Sequence, residues 1–312
     1  MSRNETTSLL KKGSPMSTIK RMRYFDDFTV GETFPIAPIR LDEQDRLAFS
    51  TQFEGGTLFP GLSPWHVATA VWGKWVETKT DAGGMVAGMS IDFARWYRNV
   101  SVDETLIGTV TISRKRVFST GDAGSVSFLL AVVDQNRRPV LEMEITGKML
   151  LRTPVAPDSQ AASAPKQKET EPQSMQTWHP APFTLSEEKI IAFGLAFDDR
   201  PIHVDRHVSA QGPFGELIAS GLHSMARLLG LWYATIHEKE SAFSDNGTLE
   251  ILNARWLSPV RAKRTIVPSI TLAKKEPAPD GRTVLYYTAK LCDAKSNPLL
   301  VCNLRWLPTF RA

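Results

Sequence analysis

Cysteine is scarce in this chain: among 312 residues there are two, Cys292 and Cys302. Their spacing fits no metal site and makes no disulfide framework, so both read as buried thiols of a reducing compartment, in neighbouring C-terminal strands. No apolar run approaches the ~18 residues that a membrane-spanning helix needs, and no membrane span is expected. The stretch from Met1 to Lys20 has no continuous apolar core, which excludes a secretory signal. It reads as a disordered leader over residues 1–20 of a cytoplasmic protein. Its Lys11, Lys12 and Lys20, with Arg21 and little acid, leave a mitochondrial presequence open. A one-sided charge is missing too: the net charge is +4, and basic residues such as Arg114, Lys115, Arg116, Lys274 and Lys275 are spread over both halves. Without aromatic interleaving they suggest no nucleic-acid partner, and an anionic small molecule or carrier suits them equally well. Phosphate loop, nucleophile elbow and dinucleotide fingerprint are all absent. His66, His179, His207 and His237 show no ligand spacing. No metal and no bound cofactor are expected.

What is present is a duplication. Hydrophobic residues make up 42% and charged ones 22%, as in a soluble globular protein with room for about two domains. Residues 153–177 are crowded with Pro, Ala, Ser, Gln and Lys and read as a flexible linker between units at 21–152 and 178–312. The units echo one another in order. Leu41 to Phe49 parallels Leu185 to Phe193, Gly61-Leu62 is matched with Gly221-Leu222, and Ala94-Arg95-Trp96 parallels Ala254-Arg255-Trp256. Val100 then answers Val260, and Asp134 with Pro139 answers Asp293 with Pro298.

Each unit opens with a short capped helix, Leu41 to Phe53 or Leu185 to Phe197, the second with Ser186 as N-cap. A longer helix follows, from Leu62 to about Thr78 or from Leu222 to about Lys239. In the latter, Met225, Leu228, Leu229, Trp232 and Ile236 form one stripe, as for a helix lying on a sheet. Strand-like runs come next: Thr109–Ser113, Val126–Val133 and Val140–Leu151, answered by Ile266–Leu272, Val284–Leu291 and Leu299–Leu307. The expectation is an α+β fold, one helix packed on an antiparallel sheet in each unit. Trp65, Trp72 and Trp75 are expected in the core; only if the first unit shapes an acyl pocket would some of them line it.

The units differ at one place. Between Phe197 and Gly221 the second unit carries an extra loop, Asp198-Asp199-Arg200-Pro201-Ile202-His203-Val204-Asp205. An acid and an imidazole five residues apart can hold one water between two proton-transfer groups, as addition of water to a double bond requires. Which of Asp198 and His203 is the base stays open. Gly221 opens the long helix, where a backbone N–H free of intrahelical partners attracts negative charge; it is the candidate oxyanion donor, at ~3 kcal/mol of barrier. Ser220 either caps that helix or touches substrate, His223 is either near the site or a packing residue, and Arg200 is placed to meet a substrate carboxylate or phosphate unless Asp199 or Asp205 holds it. Asp199 and Asp205 themselves read as solvated or loop-fixing.

This loop resembles the Asp-x-Asn-Pro-x-His-x-Asp pattern of MaoC-like, R-specific enoyl-CoA hydratases and dehydratases of the hotdog fold. Gly212 to His223 resembles that family's approach to its central helix, and Asn253 to Val260 its following strand. Residues 22–152, with Phe25 to Glu32 and Asp92 to Trp96, are similar to a degenerate hotdog unit. The tandem pair with one surviving site is similar to the type 2 hydratases of fatty-acid metabolism. The resemblance implies a double hotdog, a pseudo-dimer within one chain, its sheets side by side and its helices inside. It also implies an acyl-CoA or acyl-carrier substrate that brings coenzyme A with it, and leaves a homodimer of the whole chain open. Arg200 departs from the family's Asn, and Lys263-Arg264 stands where Gly-Asp is common. A hotdog thioesterase and a non-catalytic acyl-thioester binding module are the alternatives.

Overall fold

The computed structural model describes residues 22–156, 176–239 and 243–310. The expected leader, and residues 157–175 of the linker expected over 153–177, lie outside the described residues; the last two linker residues, Gln176 and Thr177, are instead strand, paired with Leu272 and Thr271. In the first unit, short strands β1 (Thr33–Pro35) and β2 (Ile39–Arg40) precede helices α1 (Glu43–Phe53) and α2 (Pro64–Glu77). Four long strands follow: β3 (Met85–Trp96), β4 (Thr105–Val117), β5 (Ala123–Asp134) and β6 (Pro139–Leu150). The second unit runs β7 (Gln176–Trp178), α3 (Glu187–Phe197), α4 (Pro201–Val204), α5 (Arg206–Gln211), α6 (Gly221–Lys239), β8 (Phe243–Trp256), β9 (Ile266–Pro277), β10 (Thr283–Asp293) and β11 (Pro298–Phe310). The Ser186 cap read from the sequence is realised, and the helix expected from Leu62 starts instead at Pro64. Asp42 accepts from the Asp45 N–H, Ser186 accepts from the Lys189 N–H, and Pro64 takes the first position of α2, where its missing N–H costs nothing.

The eleven strands of the described residues form one antiparallel sheet in the order β1-β4-β5-β6-β3-β8-β11-β10-β9-β7, with β2 also on β4. The seam between units is the β3–β8 pair, in register at Ile91 with Ala254 and Ala94 with Ile251. The sheets therefore lie side by side, with both long helices against them, and the double-hotdog architecture stands. Met225, Leu228, Leu229, Trp232 and Ile236 are all buried, as are Trp65, Trp72 and Trp75. Across the units, the Trp65 indole donates to the Leu222 carbonyl at 2.9 Å. Cys302 is buried and Cys292 partly so, both free thiols on adjacent β10 and β11.

One part of the duplication read from sequence is corrected. The Leu62 N–H bonds to the Val100 carbonyl as the Ala219 N–H does to Val260, which sets Ser63 opposite Ser220 and Pro64, not Gly61, opposite Gly221. The matched Trp96 and Trp256 indoles agree, donating to the carbonyls of Pro64 at 2.8 Å and Gly221 at 3.1 Å. Gly61 is instead a turn residue at φ +73°, its α-carbon so close to the Val100 carbonyl that a side chain would meet that oxygen at 2.7 Å. A matching Gly-Leu dipeptide misled the alignment; the hydrogen-bonded frame decides it.

Candidate active site

The acid sits where α3 stops. Asp198 is the residue after the last helical turn, at φ −154° and ψ 67°, and its N–H still bonds to the Gly194 carbonyl. Pro201 then starts the single-turn helix α4, which turns His203 back under α3. The two side chains meet: His203 Nε2 lies 3.4 Å from Asp198 Oδ2, with 8% and 7% of the side chains exposed. The Ser220 hydroxyl donates to the same Oδ2 at 2.6 Å and accepts from the Leu222 N–H at 3.2 Å. Ser220 thus both caps α6 and holds the carboxylate.

Charge and burial oppose one another here. Burial works to raise the Asp198 carboxyl, but the adjacent Arg200 guanidinium and the Ser220 hydrogen bond outweigh it, leaving it below the usual carboxylate range. Burial lowers His203, and the nearby carboxylate does not restore it. The 3.4 Å approach is therefore a contact between a carboxylate and a neutral imidazole rather than an ion pair. His203 Nδ1 faces the Ile218 carbonyl at 2.9 Å, so the ring proton belongs on Nδ1 and the Nε2 lone pair faces Asp198. Two acceptors side by side need a donor between them, and a water with two O–H groups is the smallest molecule that satisfies both.

The pair opens onto a cavity of about 510 Å³ between the units. From the second unit come Asp198, His203, Ser220, Gly221 and Trp256; from the first come Trp72, Met85, Gly88, Ile145 and Gly147. Among the described residues, the Gly221 N–H has no internal acceptor, and it stands in the cavity wall. A β-carbon at Gly221 would come within 2.5 Å of Trp256 Cε2, so the indole can close on the helix start only because residue 221 is glycine. Trp256 was missed as a site residue, although its match with Trp96 in the repeated tripeptide was the available signal.

Two expected substrate contacts are corrected. Arg200 is not free for a ligand anion: Nη1 pairs with Asp198 Oδ1 and Nη2 with Asp81 Oδ2 at 2.7 Å, the latter residue supplied by the first unit. Neither Asp199 nor Asp205 takes it. Asp199 pairs with Lys79, and Asp205 caps α5 by accepting from the N–H groups of His207 and Val208. His223 is outside the cavity wall. It stacks on Phe193 with ring centroids 4.5 Å apart and meets the edge of Phe53, and burial pushes it down to about 3. It is a neutral packing residue.

Residues 167–288 match the family model of the MaoC like domain. No curated protein matches the chain. Among solved structures it is similar to a protein described as a MaoC domain dehydratase from Chloroflexus aurantiacus, at 18% identity and TM-score 0.73, over 95% of this chain and 100% of that one. A conserved hypothetical protein from Mycobacterium tuberculosis, described as having a double hotdog fold, matches at 16% identity and TM-score 0.66, over 92% of this chain and 99% of that one. Peroxisomal multifunctional enzyme type 2 from Drosophila melanogaster matches at 13% identity and TM-score 0.61, over 87% of this chain and 48% of that one. At these identities the likeness is one of fold.

Proposed function

We propose that this double-hotdog chain, whose residues 167–288 match the MaoC-like domain, is a hydro-lyase that reversibly hydrates 2-enoyl thioesters, acyl-CoA in the first instance. The observation that carries the reading is the pair of acceptors, Asp198 Oδ2 and His203 Nε2, side by side on a cavity wall with an unpartnered Gly221 N–H. An enoyl thioester in the cavity would direct its carbonyl oxygen to Gly221, where developing negative charge is stabilised. A water donating to both Asp198 and His203 would attack the β-carbon as one of its protons passes to the pair. With Asp198 ionised and His203 neutral, the pair holds no proton of its own to give. The proton delivered to the α-carbon is then the one taken from the water, handed on directly or across the 3.4 Å gap. Water adds as hydroxyl and hydrogen, the enzyme ends as it began, and the reverse path expels water.

The cavity wall is mainly apolar, with Trp72, Met85 and Ile145 from the first unit, which suits an aliphatic acyl chain. Because Arg200 is already shared by two carboxylates, it gives no support to a dicarboxylic substrate. The test is an assay of the purified protein with crotonyl-CoA and longer 2-enoyl-CoA esters, following the conjugated absorbance and free thiol together. Loss of conjugation without thiol release supports the proposal. Thiol release with the double bond intact would assign the site to a thioesterase, and binding without turnover would assign a carrier module.

A further inference from the structure

The buried charge cluster between the ends of α2 and α3 extends the hydro-lyase reading and rests on it. We infer that Arg200 is a positioning residue that keeps Asp198 ionised, and that Asp81, from the unit lacking the acid–imidazole loop, sets how strongly it does so. The geometry is that of a cation shared between carboxylates. The planar guanidinium gives one nitrogen to Asp198 and the other to Asp81, and the side chains of Arg200, Asp198 and Asp81 are 14%, 7% and 2% exposed. Asp81 is fixed in turn by the Trp75 indole N–H at 3.3 Å. In such a buried site water screens little, so the sharing matters.

The surrounding groups leave Arg200 as the cation that acts on Asp198. His203 and Ser220 complete its contacts. Lys79 is engaged with Asp199 on the exposed side of the same turn. Across the cavity, Asp92 is paired with Arg114, and Arg255 is an exposed residue at the wall. His66 and His223, packed on phenylalanine rings behind the site, are neutral. Removing Arg200 therefore leaves a desolvated carboxylate that takes up a proton. Neutralising Asp81 has the opposite effect, because it frees the whole guanidinium charge for Asp198 and removes a nearby negative charge.

The experiment is a pH titration of the Asp198 carboxyl by NMR, in full-length protein with aspartate-selective ¹³C labelling. The resonance is identified by its loss in Asp198→Asn, and folding is checked by thermal unfolding. Arg200→Gln should move the midpoint up by at least about one pH unit, as expected for loss of an adjacent opposite charge. Asp81→Asn should move it down, and Arg200→Lys should bring it back towards wild type. The acid limb of kcat/KM for enoyl-CoA hydration should follow the same order. An Arg200→Gln titration superimposable on wild type, or equal shifts in one direction for Arg200→Gln and Asp81→Asn, would overturn the inference. Should Arg200→Gln fail to fold, the Asp81→Asn and Arg200→Lys shifts decide it. The titration needs no turnover, so an inactive protein would defeat the hydro-lyase reading while leaving this one measurable.

Discussion

The two units place the same frame around two different sites. In the second, Asp198 ends α3, Ser220 binds it, Gly221 opens α6 and Trp256 lies over that glycine. In the first, Glu54 ends α1, Ser63 binds it, Pro64 opens α2 and Trp96 lies over that proline. His66 stacks on Phe49 as His223 stacks on Phe193. Each changed residue removes one part of the chemistry. Proline has no N–H to offer a developing oxyanion, among the described residues no imidazole pairs with Glu54, and burial raises Glu54 to about 8, so it is a neutral acid at neutral pH. The space is gone as well. Where the working cavity has Gly147, the matching position on β11 is Trp306, and the cavity it helps line there is about 30 Å³. The frame comes from packing, and the proposed activity rests on four positions.

That comparison can be broken from the catalytic side first. Asp198→Asn and His203→Ala should each lower kcat/KM for hydration by about a thousandfold, within the usual range for loss of acid–base catalysis. Glu54→Gln should leave it within about twofold. Next in size is Gly221→Pro, which gives the second unit the helix start of the first. Proline suits the first helical position and no internal hydrogen bond is lost there, but a β-carbon at 221 would meet the Trp256 indole, so the change is made together with Trp256→Ala and compared with Trp256→Ala alone. The expected result is a folded protein with kcat/KM about 10²–10³-fold lower, the cost of one oxyanion donor.

Gly147→Trp should fill the working cavity as Trp306 fills its counterpart. Turnover of long-chain enoyl thioesters should fall by at least about a hundredfold relative to crotonyl-CoA, measured as a ratio of kcat/KM values. The reciprocal Trp306→Gly should cost about 3–5 kcal/mol of stability and confer no activity on the first unit.

A further effect concerns Glu54. Its folded pKa is raised from the ordinary 4.5 to about 8, so its contribution to stability is present below 4.5 and is lost as pH rises towards 8. Glu54→Gln, permanently neutral and still able to accept from Ser63, should remove a slope of about 1.4 kcal/mol per pH unit in that window. Thermal unfolding of both proteins from pH 5 to 8 measures it.

Much of the candidate site was legible in the sequence because its parts are close along the chain. Asp198, His203, Ser220 and Gly221 belong to one loop and the helix it feeds, and capping and proline chemistry fix their local geometry. The stripe on α6 and the short capped helices were readable for the same reason. What could not be read was long-range. Arg200 meets Asp81 from the other unit, Trp256 folds back on Gly221 from across the sheet, and Met85 and Gly147 meet on neighbouring strands. None of these pairs leaves a local pattern. The first part of β3, Met85 to Ser90, was also overlooked as strand, since its small and methionine residues show no clean alternation. His223 was ambiguous because a buried histidine and a site histidine look alike until the ring is seen against Phe193.

The most direct test of a single gripped water is a crystal structure of the unliganded protein at neutral pH, at a resolution that shows ordered solvent. One water is expected within hydrogen-bond distance of both Asp198 Oδ2 and His203 Nε2, facing the cavity, with Glu54 bonded to Ser63 and no matching water in the first unit. A dry contact between Asp198 and His203, or a water equally placed beside Glu54, would contradict it.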